Sequence, residues 1–206
     1  MHLGQVATAF SELFTLPLTK VQSTCRFLRQ AGFIRSGARG VNAPHLEDLE
    51  IARILIALMA SESPSDSVVR CRYFSALPVD PIESRFSKAQ TEKHENQTAE
   101  TVLAKVFQGI REGRFDRDPD SSLSRGGVSL TVEISMGRMV LEVCDTGERV
   151  IFSTDPDPRK HDLVTKDHET LPPFFSTMHR STNVMGDVLN VIASFGNETK
   201  SKGDTP

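Results

Sequence analysis

The stretch IARILIALMA, residues 51–60, is apolar almost all round. A helix that covers one small core shows one polar face, yet Ile51, Ile54, Leu55, Ile56, Leu58 and Met59 spread over too wide an arc for that. Arg53 interrupts the run, which is far too short to span a bilayer. So much apolar surface needs a cover. A second copy of the chain supplies it if the helix over residues 46–61 lies between protomers; residues 68–115 supply it if the helix lies inside its own chain. The expectation is a homo-oligomer formed through residues 46–61.

Two shorter helices precede this one. Residues 3–14 carry Val6, Phe10, Leu13 and Phe14 at helical spacing, and Pro17 ends the pattern. Thr19-Lys-Val-Gln22 reads as a capping box that opens a second helix, and Gly32 is a natural C′ residue to close it. On residues 19–31 Val21, Cys25 and Leu28 fall on one side, while Gln22, Ser23, Arg26, Arg29 and Gln30 fall on the other. Phe33-Ile-Arg35, Ser36-Gly-Ala-Arg-Gly40 and Val41-Asn-Ala43 follow as a short hairpin, with Gly37 and Gly40 allowing sharp turns.

Charge singles out this region. Residues 16–44 hold Lys20, Arg26, Arg29, Arg35 and Arg39 and no acid, a local +5 that leaves −8 for the rest of a chain whose net charge is −3. A basic patch on an acidic body is the electrostatic footprint of a polyanion-binding surface. The outer face of the second helix carries guanidinium, amide and hydroxyl groups, which are the groups that read base edges in a major groove. Lys20, Gln22, Ser23, Arg26, Arg29 and Gln30 are therefore the expected DNA contacts on the helix. Arg35 and Arg39 are expected to project from the hairpin toward phosphates or a minor groove. The bland alternative is that the basic helix face is simply solvated. His45, before the third helix, fits a phosphate contact or a capping or surface role equally well.

This order of elements, with AGFIRSGARG after a basic helix, resembles winged helix-turn-helix DNA-binding proteins of bacterial or phage type over about the first sixty residues. The resemblance implies that residues 19–31 occupy the recognition slot and residues 33–43 form the wing. The sequence departs from the family's pattern in one respect: only one helix, rather than the usual two, fits before the recognition helix.

The rest of the chain reads as α+β. The polar stretch SESPSDS, residues 61–67, suggests a linker between a DNA-binding domain at 1–62 and an assembly or sensing domain at 68–195, with a disordered tail at 196–206. Residues 98–114 carry Val102, Leu103, Val106, Phe107 and Ile110 on one helical stripe. Val128, Leu130, Val132, Ile134 and Met136 then alternate with Ser129, Thr131, Glu133 and Ser135, the period of a strand with one buried face. Residues 139–144 and 149–154 complete an antiparallel β-meander. A last helix is expected over residues 176–195, with Met185, Val188, Leu189 and Ile192 on one stripe.

Other chemistry has less support. Cys25, Cys71 and Cys144 form neither a disulfide framework nor a zinc pattern, which fits a reducing compartment. The first residues lack the charged start and apolar run of a signal peptide, so a soluble, cytoplasmic protein without membrane contact is expected. Asp155, Asp157, His161, Asp162, Asp167 and His168 could in principle hold a metal ion for phosphodiester hydrolysis, yet their spacing matches no ligand motif. Cys144 and His161 are more readily a packed thiol and a loop residue than a nucleophile and its base. Neither GxxxxGK[ST] nor GxGxxG is present. With one Tyr and no Trp the chain offers few stacking platforms for single strands. No cofactor, metal or catalytic group is expected, and the chain reads as a binding protein rather than an enzyme. The leading expectation is a bacterial or prophage transcriptional regulator that binds double-stranded DNA as an oligomer, with a possible protein partner for its C-terminal part. A phage small terminase subunit is the alternative, and a metal-dependent nuclease comes third.

Overall fold

Each of the first two helices stops in a left-handed residue. In the computed structural model, α1 spans Leu3–Leu13 and α2 spans Leu18–Gln30. Gly32 follows α2 with φ 81°, its N–H on the Arg29 carbonyl (3.1 Å) and the Phe33 N–H on the Leu28 carbonyl (2.9 Å). This is a Schellman turn with glycine at C′, as the sequence suggests. Thr15 takes the equivalent place after α1 with φ 51°, and the Leu16 N–H reaches the Ser11 carbonyl at 3.0 Å. A β-branched residue held there costs on the order of 1–3 kcal/mol, so its surroundings must fix it. The Ser11 hydroxyl contributes by donating to the Leu16 carbonyl at 2.7 Å. The turn folds α2 back against α1. The expected capping box at Thr19 does not form: α2 starts at Leu18 with Pro17 at the N-cap, whose ring already fixes φ at −56°.

The structure describes residues 1–36, 44–81, 84, 97–112, 128–134, 137–143, 148–153, 181–184 and 186–195. The third helix, α3, spans Asp48–Ala60. Every residue from Ile51 to Ala60 except Arg53 is buried, most of them completely. The cover comes from the same chain, in the form of α2, α4 (Ser67–Ser75), α5 (Ala99–Arg111) and the strands β1 (Val128–Glu133) and β4 (Ser181–Val184). The expectation that residues 46–61 supply an oligomer interface is therefore corrected. The wide apolar arc is satisfied on all sides within one chain, and α3 is the axis of the core. Arg53 sits on the one polar line. Its guanidinium forms a two-point ion pair with Glu100 of α5 (2.7 and 3.1 Å) and donates to the Phe33 carbonyl.

The expected linker at 61–67 is a tight corner instead. Ser61 and Ser67 are buried, Pro64–Asp66 makes a 3-10 turn, and the Ser67 hydroxyl donates to the Pro64 carbonyl at 2.6 Å. Ser61 and Ser67 donate to the backbone carbonyls of Ala57 and Pro64, a role that their polarity alone does not distinguish from solvation. One cluster of buried apolar residues runs from Val6 through α3 and the sheet to Phe195, so the segments on either side of 62–68 share a core.

The described residues form six α-helices and a four-stranded antiparallel sheet in the order β3-β2-β1-β4. β2 is Arg138–Val143 and β3 is Glu148–Phe152. The alternation from Val128 onward does produce a meander, with Val132 opposite Met139 and Met139 opposite Phe152 in one inward row. Val79 bridges to Phe152, and the Ser153 N–H donates to the Pro78 carbonyl at 3.1 Å, so residues 78–80 run along the edge of β3. The helix expected at 176–195 is shorter than anticipated. α6 spans only Gly186–Ser194, and Ser181–Val184 is β4, paired with β1 on its free side. Leu189 and Ile192 are fully buried on the expected stripe. The tail at 196–206 and the acids and histidines of 155–169 lie outside the described residues. Among the described residues no helix is long and apolar enough to cross a membrane.

Candidate nucleic-acid interface

The inner face of α2 is the one its periodicity gives: Val21, Thr24, Cys25 and Leu28 are buried. Successive residues turn by about 100°, so the opposite ridge runs through Thr19, Ser23, Arg26 and Gln30, with Gln22 and Arg29 on one shoulder and Lys20 on the other. Gln22, Arg26, Arg29 and Gln30 are exposed, and Lys20 and Ser23 are partly so. The structure thus brings six of the expected contacts to one exposed face. Burial pushes the Cys25 thiol on the inner face up to about 12, despite the nearby Arg29 charge, which leaves it a packing group.

Among the described residues Lys20, Arg26 and Arg29 form no ion pair, whereas Arg35, Arg53, Arg111 and Arg138 are each held by a carboxylate. The Arg26 guanidinium lies 5.2 Å from the centre of the Phe27 ring, a contact that orients the side chain without cancelling its charge.

Arg35 behaves differently from the expectation that it projects from a wing. Its guanidinium folds onto the start of α3, with Nη1 2.8 Å from Glu47 and Nη2 3.0 Å from both Glu50 and the His45 carbonyl. Glu50 is buried and accepts four hydrogen bonds: from the Arg35 N–H, Nε and Nη2, and from the Glu47 N–H. Arg39 and the remainder of the expected hairpin, residues 37–43, lie outside the described residues. His45 stacks on His2, with ring centres 4.3 Å apart. Sequence reasoning missed the Glu47–Glu50 clasp. Its one signal is the pair of acids three residues apart at a helix start, and nothing in the sequence ties Glu50 to an arginine fifteen residues upstream.

The clasp has a measurable consequence. Burial raises the Glu50 carboxyl, but the hydrogen bonds from the Arg35 guanidinium and from the backbone N–H groups of Arg35 and Glu47 outweigh it, and the net shift is downward. A carboxyl lowered in the folded state adds stability above its unfolded value, and that stability is lost as the pH falls through the folded one. Glu50→Gln places an amide N–H₂ against donors and is expected to cost about 1–3 kcal/mol at neutral pH. It should also flatten the loss of stability below about pH 5. Urea midpoints at neutral and acidic pH measure both; a variant with the same midpoint and the same acid slope as the parent would contradict the assignment.

Among the described residues no group of three or more His, Cys, Asp and Glu side chains is arranged to hold a metal ion. Comparison with protein-family models, curated proteins and solved structures gives no match to this chain.

Proposed function

We infer that the exposed face of α2 binds double-stranded DNA and that the protein regulates transcription. The observation that carries this reading is the contrast in charge pairing. Arg35, Arg53, Arg111 and Arg138 are matched to carboxylates, while Lys20, Arg26 and Arg29, like Arg72 of α4, have no ion pair among the described residues, and the three on α2 stand beside Gln22, Ser23 and Gln30. An unmatched cation on a folded surface keeps its attraction for phosphate, and the amides beside it add base-edge recognition. The succession of α1, a tight turn and α2 suits a helix-turn-helix in which α2 enters the major groove. The alternative packaging role depends on a central oligomerising helix, and α3 is enclosed by its own chain.

The test is an anisotropy titration of the intact protein on duplex DNA at about 50 and 200 mM salt. Binding whose log–log salt slope is roughly −2 to −3 is expected from the three helix cations. No binding at low salt would show that the face is only solvated.

A further inference from the structure

A fourth cation reaches the end of α2 from elsewhere in the chain. Arg72 lies in the last turn of α4, a helix that packs against both α2 and α3. Arg70, Cys71, Phe74 and Ser75 point from α4 into the core, and Arg72 is exposed. Its guanidinium carbon stands 6.0 Å from the centre of the Phe33 ring. Phe33 is the residue just past Gly32, tied to α2 by its N–H on the Leu28 carbonyl at 2.9 Å. Arg72 is therefore held beside the C-terminal end of α2, past Arg29.

The same ring also meets Arg53, with its guanidinium carbon 5.8 Å from the ring centre. The two arginines differ in what else they hold. Arg53 is paired with Glu100 and donates to the Phe33 carbonyl. Arg72 has no ion pair among the described residues, so ring contact positions it and leaves its charge available.

A helix lying in a major groove has a phosphate backbone along each side, and cations at its ends meet phosphates rather than base edges. Resting on the DNA-binding reading of α2, we propose that Arg72 is a phosphate contact for the same duplex, set on Phe33 so that α4 clamps the backbone beside the C-terminal end of α2. It contributes affinity and register but no sequence preference.

The experiment is the same salt titration with the full chain, on duplexes of two unrelated sequences, for the parent, Arg72→Ala, Arg72→Lys and, as a control, Lys105→Ala on the exposed side of α5. Arg72→Ala should weaken low-salt binding several-fold on both sequences and make the log–log salt slope shallower by about 1. Arg72→Lys should keep the slope, and Lys105→Ala should match the parent. Thermal melting accompanies each variant, and the exposed Arg72 side chain should leave it unchanged. A parent slope that survives Arg72→Ala would overturn the clamp while leaving the α2 reading intact. A parent without salt-dependent binding would overturn both.

Discussion

Leu55→Ala is expected to destabilise the whole chain by about 2–5 kcal/mol. Leu55 is completely buried at the middle of α3, between helices on several sides and the sheet. Truncation removes the transfer free energy of the lost methyl groups and leaves a space that close-packed neighbours fill only in part. A domain with about 5–15 kcal/mol of total stability loses a large share of it. For a chain of 206 residues that corresponds to a fall in Tm of about 4–20 °C. The shape of the transition matters as much as its midpoint. Because the core runs unbroken from Val6 to Phe195, signals from the helices and from the sheet should fall together, at a temperature independent of protein concentration. If α3 were instead an interface between protomers, the variant would dissociate with its protomers still folded, and the parent Tm would rise with concentration.

That result bears on how far this fold was written in its sequence. Period and punctuation located much of it. The inner face of α2 at Val21, Cys25 and Leu28, the stripe Val102, Leu103, Val106 and Phe107 on α5, and the alternation along β1 are all buried as their spacing requires. Gly32 ends its helix because few other residues take that backbone conformation without strain. Periodicity tells which face is buried, however, and not what buries it. The arc of α3 was equally compatible with a second chain and with its own chain. β4 was illegible for a related reason: Ser181-Thr-Asn-Val184 has only four residues, and it becomes a strand by pairing with β1, about fifty residues earlier. In the candidate site the exposed face of α2 was legible, whereas the fate of Arg35 was not. Its charge suggested an outward role, and only the fold brings Glu47 and Glu50 against it.

The sharpest test of that face is to separate its two outward arginines by what each does on DNA. Arg26 lies at the middle of the exposed ridge and Arg29 on its shoulder, so the first is placed for a base edge and the second for a phosphate. Arg26→Ala should cost about 1–3 kcal/mol on the preferred sequence, about 5- to 150-fold in Kd, and much less on unrelated duplexes. Arg29→Ala should weaken all duplexes alike and make the salt slope shallower by about 0.9. Neither side chain is part of an ion pair among the described residues, and both are exposed, so melting temperatures should stay within the range of ordinary surface changes. The two positions are neighbours on one helix face, and the double variant measures whether their contacts are coupled. Losses that add are expected if the base edge and the phosphate are contacted independently, and a combined loss that departs from the sum would show that each contact depends on the other. Binding untouched by both changes, in a protein that still binds DNA, would move the interface away from α2 altogether.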